Sequence, residues 1–133
     1  MSGVLQNFLA ESAQKTAGDL KEALHRIPAD KRNWAPAETS RSALDQLAEC
    51  AILNGQTMEM LHSRQWPTDF DMDDYMREKA ELARDENAAI ALLDENTAKV
   101  CEAIRALPDE DLNLEIQMPW KPMKLSEIAA YPF

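Results

Sequence analysis

Three long stretches of this chain place apolar residues at alternating three- and four-residue steps, and that rhythm restricts the fold more than anything else in it. From Val4 to about Arg26, residues Leu5, Phe8, Leu9, Ala13, Ala17, Leu20 and Leu24 fall on one side of a helix, with Ile27 closing the run. Pro28 stops it, because proline lacks a backbone donor and restrains the residue before it. From Pro28 to Arg41 there are two prolines and no period, so this stretch is a connection. Ser42 has the character of an N-cap, with Asp45 three residues on, and a second helix over about 43–62 buries Leu44, Leu47, Ala51, Met58 and Leu61. Gly55 inside it costs roughly 1 kcal/mol against alanine, which points to a kink or a close helix contact.

A third helical region covers about 73–107. Its apolar stripe lapses at Arg84-Asp85-Glu86-Asn87, so a short helix followed by a long one capped near Asp85 is expected. In the long part Ala89, Leu92, Leu93, Val100, Ile104 and Leu107 share a face, and Pro108 ends it. Leu112, Leu114, Ile116 and Met118 then alternate with polar residues, the pattern of a short extended segment. After Pro119-Trp120-Lys121-Pro122, Ser126 reads as the cap of one more helix, of which 126–133 is the start.

A length of 133 residues supports one domain, 1–133, with a real core. Apolar residues make up 45% and charged residues 29%, and only three glycines are present, as in an ordinary globular all-α chain. Fourteen basic residues against 24 acidic ones leave a net charge of −10, which repels phosphate backbones and anionic lipid. Nucleic acid and membrane surfaces are therefore not the expected partners. The first residues lack the basic start and apolar run of a signal peptide, and no apolar stretch approaches ~18 residues. A soluble, cytoplasmic protein is expected. Cys50 and Cys101 are in no metal-type spacing and read as buried free thiols, Cys50 having no neighbouring base to activate it.

The chain echoes itself. Ile27-Pro28-Ala29-Asp30-Lys31-Arg32-Asn33-Trp34 and Leu107-Pro108-Asp109-Glu110-Asp111-Leu112-Asn113-Leu114 each run from a helix end into a proline-containing connection and a serine, Ser42 or Ser126, that opens the next helix. Two helix–connection–helix units packed together make a four-helix bundle. Aligned on these serines, Glu49 corresponds to Phe133, so the fourth helix is one-third as long as the second. Three stripes of roughly 30 Å would then leave an apolar groove uncovered. A homodimer closing that groove is the expected state.

The run Asn33-Trp34-Ala35-Pro36, followed by Ser40-Arg41-Ser42-Ala43-Leu44-Asp45-Gln46-Leu47-Ala48-Glu49-Cys50-Ala51, resembles the DinB-like (YfiT-like) superfamily. Leu125-Ser126-Glu127-Ile128-Ala129-Ala130-Tyr131 is similar to the start of that family's last helix. The resemblance implies an all-α, up-down-down-up four-helix bundle, here with a truncated fourth helix. It also implies frequent dimers and a divalent metal held by three histidines, one in the second helix and two in the last. Characterised members include thiol-dependent transferases and isomerases. The second-helix ligand falls where this chain reads Leu47-Ala48-Glu49, so Glu49 is the candidate metal ligand, with a flank glutamate as the alternative. The last-helix pair has no counterpart in residues 1–133. Zinc, nickel or iron is thus implied for a chain that completes the site, and no metal for residues 1–133 alone.

His25 and His62 each lie in a last helical turn, where a cation favours free carbonyls and the helix dipole, and no H-x-x-x-H pair exists. Asp69, Asp71, Asp73 and Asp74 lack the glycine turn and terminal glutamate of a calcium loop and read as capping and solvated charge. Trp34, Trp66 and Trp120 each flank prolines in connections and read as plugs for the ends of the bundle; if the bundle has an open pocket, the echo places Trp34 and Trp120 near one end as its rim, with Asn54. Asn54 and Asn96 also have positions suited to hydrogen bonds across the core, or to partial exposure. Two functions follow: a divalent-metal-dependent enzyme, a thiol-dependent transferase or hydrolase, with an incomplete site; or a noncatalytic helical module for dimerisation or small-ligand binding.

Overall fold

The structure, a computed structural model, describes residues 3–132. It is mostly helical, with five α-helices and a two-stranded sheet among those residues. Helix α1 spans Val4–His25 and starts at Gly3, whose φ of 79° lies in the left-handed region that glycine enters without strain. It buries Gln6, Ala10, Ala13, Ala17 and Leu24. Leu5 and Phe8, expected on the buried face, are 42% and 64% exposed. The face is set instead by contacts that only the small-residue stripe allows. Gln6 Nε2 donates to Leu107 O at 2.8 Å, and the Cys101 thiol donates to Ala10 O at 3.2 Å, which requires close approach of the two backbones.

Helix α2 spans Ala43–Ser63, and the Ser42 hydroxyl accepts from Asp45 N at 3.0 Å, as an N-cap should. The last carbonyls of α1 and α2 are not taken by His25 and His62, as expected, but by arginines beyond each helix. Arg32 donates to His25 O and Ile27 O, and Arg64 donates to Leu61 O. Arginine reaches back across a turn with a planar fork that an imidazole in the helix cannot match. Helix α3 (Met72–Leu82) is capped by Asp71, which accepts from Asp73 N and Asp74 N, and α4 (Glu86–Arg105) by Asp85, which accepts from Ala88 N. The lapse in the apolar stripe is this break between α3 and α4.

Strand β1 (Glu115–Gln117) pairs antiparallel with β2 (Pro122–Lys124), Ile116 lying opposite Met123. An all-α expectation missed this ribbon. The alternation ending at Met118 supplies one strand, and the Pro119–Pro122 turn carries the chain back to supply the other. Helix α5 spans Leu125–Ala129. Ser126 is not its cap: it lies within the first turn, Lys124 holds the cap position, and Lys124 N donates to Glu127 Oε1 at 3.2 Å. The expected continuation over 126–133 is likewise corrected, since the helix gives way before Pro132, which disfavours helical geometry at Tyr131. Phe133 lies outside the described residues.

Helices α1 and α4 are antiparallel, with Gln6 beside Leu107 and Lys21 bonded to Asp94. Helices α2 and α4 run the same way: Leu44, Leu47 and Ala48 pack with Ala89 and Leu93 in one core cluster, and Met60 and Leu61 with Val100 and Ile104 in another. Leu125, Ile128 and Ala129 of α5 complete the second cluster together with Ile116, Met118 and Met123 of the ribbon. No helix among the described residues is long and apolar enough to cross a membrane.

Candidate functional site

Arg41, Asp45 and Glu49 recur every four residues, Asp45 and Glu49 on one face of the first turns of α2 and Arg41 just ahead of its cap. The Arg41 guanidinium donates to Asp45 Oδ2 at 2.6 Å and to Glu49 Oε2. Antiparallel packing of α3 brings Lys79 onto the same carboxylates, its Nζ 3.6 Å from Asp45 and 3.9 Å from Glu49. The Lys79 side chain is only 10% exposed, and its ammonium lies 5.6 Å from the centre of the Tyr75 ring. Each buried or half-buried charge here has an opposite charge in contact, the arrangement that makes such charges tolerable away from water.

The titrating groups follow from that setting. The bond to Asp45 holds Arg41 in its charged form. Burial, reinforced by the negative charge of Glu49, pushes the Cys50 thiol up to about 11. The same two causes raise the Tyr75 phenol. Both groups therefore stay protonated at neutral pH, so neither is an activated nucleophile.

These residues do not fit the metal that the family resemblance implies. Glu49 already accepts from Arg41 and lies 3.9 Å from the Lys79 ammonium, two cations that would repel a divalent ion, and one carboxylate is not a site. His25 and His62 lie at the last turns of α1 and α2, at opposite ends of the molecule. Among the described residues no group of three or more His, Cys, Asp or Glu is placed to hold a metal ion.

The three expected rim residues do not meet. Asn54 is fully buried, its Nδ2 donating to Thr97 Oγ1 at 3.2 Å in the seam between α2 and α4, so it lines no rim. The alternative reading, a hydrogen bond across the core, describes it, and Asn96 behaves similarly, donating to Ala51 O at 2.9 Å. Trp34 is 56% exposed at the α1–α2 connection, with Lys31 Nζ 5.4 Å from its ring centre. Trp120 lies at the opposite end, because it follows α4 and α4 runs against α1. The echo aligned the two connections in sequence but did not reveal that they leave opposite ends.

Trp120 does line a cavity, of about 190 Å³, with Leu53, Gln56, Thr57 and Met60 of α2, Trp66, Met118 and Tyr131. Trp66 bridges Trp120 and Phe70, with ring centres 5.7 and 5.2 Å away. Sequence reasoning missed Trp66, Met118 and Tyr131 as members, and it missed Lys79 in the charged cluster. The four-residue spacing of Arg41, Asp45 and Glu49 was a legible signal for the rest of that cluster.

Short ribbon, buried small-residue seam and proline-led connections together define a helical domain with a charged cluster at one end and an aromatic cavity at the other. The sequence matches the DinB superfamily over residues 13–131, and the chain belongs to that superfamily. No curated protein and no solved structure matches it.

Proposed function

We propose that this chain is a DinB-superfamily domain whose function is binding rather than catalysis, in which fixed side-chain cations stand where relatives of the implied type use a divalent metal. The observation that carries this reading is the engagement of Glu49, the residue at the resembled ligand position, by Arg41 and Lys79. On this reading the domain uses the superfamily's up-down-down-up frame, with α5 opening the fourth position. The shared direction of α2 and α4 against α1 supports it. Self-association belongs to the same reading, because Val4, Leu5 and Phe8 present an exposed apolar face at the start of α1.

The test is to load the purified chain with Zn²⁺, Ni²⁺ and Fe²⁺ in turn, remove the excess, and measure retained metal and thermal stability. Substoichiometric metal and an unchanged melting temperature are expected, since a ligand that binds only the folded state raises that temperature. One equivalent of retained metal, lost in Glu49→Ala, would overturn the reading in favour of a metal-dependent enzyme. Glu49→Ala itself is expected to cost about 0.5–1 kcal/mol, less at high salt, as a half-exposed ion pair does.

A further inference from the structure

We infer that the cavity between the C-terminal half of α2 and the β1–β2 ribbon is a binding site for a small neutral aromatic molecule of one or two fused rings. The inference is independent of whether Glu49 holds a metal, because the cavity and the charged cluster share no residue.

Size comes first. The cavity measures about 190 Å³. An apolar cavity of ~150 Å³ holds one benzene ring, and whole drug-sized ligands need ~300 Å³ or more, so the guest is a single or fused ring system. The walls then select its chemistry. Trp66, Trp120 and Tyr131 supply rings, while Met60 and Met118, both buried, supply thioethers. Edge-to-face ring contacts and sulfur–ring contacts each add to the burial of an aromatic guest and give no comparable gain to an aliphatic one. The α2 face contributes Gln56 and Thr57 as the polar members of the wall, enough to orient one hydroxyl, amide or ring N–H.

Charge and geometry exclude the nearest competitors. No acidic or basic residue lines the cavity. An anion meets no counter-charge in a chain of net charge −10. A quaternary ammonium needs ring faces standing apart around it, whereas the indoles of Trp66 and Trp120 already touch at 5.7 Å and 78°. Entry is open on the ribbon side, where Trp120 is 57% exposed and Tyr131 is 46% exposed.

The probes are indole and 1-naphthol, with cyclohexanol and tetramethylammonium as the non-aromatic and cationic comparisons. The readout is the three tryptophan indole N–H signals in a ¹H–¹⁵N correlation spectrum of the full chain. Both aromatic probes should shift the Trp66 and Trp120 signals saturably while leaving Trp34, at the far end, in place. Met60→Trp should fill the cavity and abolish the shifts; Trp120→Ala should weaken binding severalfold, with Trp34→Ala as the unaffected control. Gln56→Leu should weaken 1-naphthol, which carries a hydroxyl, more than it weakens naphthalene. Each variant is first shown to keep a cooperative thermal transition, and if Met60→Trp does not, Leu53→Trp takes its place. Absence of saturation by either aromatic probe, equal shifts at Trp34, or cyclohexanol or tetramethylammonium binding as tightly as indole would each overturn the inference.

Discussion

After α1, Pro28 opens a single 3-10 turn in which Lys31 N donates to Pro28 O at 2.8 Å; after α4, Pro108 does the same, with Asp111 N at 3.0 Å. Both turns are then tied to the next helix by matching return bonds, Leu44 N to Arg32 O and Ser126 N to Leu112 O, both 3.0 Å, and the second also by Leu125 N to Leu114 O at 2.8 Å. These bonds match Leu44 with Ser126, and hence the cap positions Ser42 and Lys124. Alignment on the two serines is therefore out of step by two residues, because Ser126 lies two residues beyond the cap position that Ser42 holds in the first unit. In the corrected register Glu49 corresponds to Tyr131, each seven residues past its cap. One backbone plan thus puts its seventh residue into an ion cluster at one end and at the lip of an aromatic cavity at the other. The comparison separates two things: the connection fixes where a site forms, and the side chains fix its chemistry.

The sharpest way to break this equivalence is to ask whether α5 is as much a part of the core as α2. A helix of five residues has no stability of its own, so its order comes from packing. Ile128 and Leu47 are both fully buried, in the two different core clusters. Ile128→Ala and Leu47→Ala should each cost about 3 kcal/mol in urea unfolding, the range for emptying a buried aliphatic site. If Ile128→Ala costs under about 1 kcal/mol while Leu47→Ala keeps its full effect, α5 is a frayed appendage and the two units are not equivalent.

A middling effect sharpens what joins the two ends. In the α2–α4 seam a Cβ on Gly55 would stand 2.6 Å from Asn96 Nδ2, the atom that donates to Ala51 O. Gly55→Ala gains about 1 kcal/mol of helix propensity, but it displaces that amide and its hydrogen bond. A net loss of about 1 kcal/mol is expected, reversing to a gain of similar size when Asn96 is already alanine, by a double-mutant cycle. Stabilisation by Gly55→Ala in the otherwise unaltered chain would show that the seam does not need this close approach.

How much of this could be read beforehand varies with range. The long helices and the Ser42 and Asp85 caps are local, carried by periodicity and by residues three or four apart, whereas Gly55 flags a close contact without naming its partner, Asn96 of α4. Leu5 and Phe8 are exposed although they extend the apolar stripe of α1, because side-chain size alone does not decide which face is buried. In the structure the alanines decide, since they let α1 approach α4 closely enough for Cys101 to reach Ala10 O. The charged cluster is half legible: Arg41, Asp45 and Glu49 follow one another at four-residue steps, whereas Lys79 arrives through the fold of α3. The aromatic cavity is nearly illegible, because Trp66 of the α2–α3 connection, Met118 and Trp120 of the β1–β2 turn and Tyr131 after α5 meet only through the direction of the helices.

The smallest expected effect separates the two turns themselves. In the corrected register Asp109 corresponds to Ala29, each following its proline. Ala29 offers no side-chain acceptor, whereas Asp109 Oδ1 accepts from Gln6 Nε2 at 2.7 Å and from Gly3 N at 3.2 Å, pinning the start of α1. Those bonds, the one from Gln6 foremost, hold the Asp109 carboxyl below its ordinary value of 3.8. A carboxyl whose value is depressed on folding contributes stability that is present above the unfolded value and is lost as pH falls through the folded one. The gap in urea midpoint between the unaltered chain and Asp109→Ala should therefore be constant above about pH 5 and close as pH falls below about 4. Ala29→Asp, which adds a carboxyl at the matching turn, should bring no such pH-dependent gain, because the arginine of that turn, Arg32, already directs its donors to Glu86, Ile27 O and His25 O. Parallel pH profiles for the unaltered chain and Asp109→Ala would mean that the second turn holds α1 no more firmly than the first holds anything.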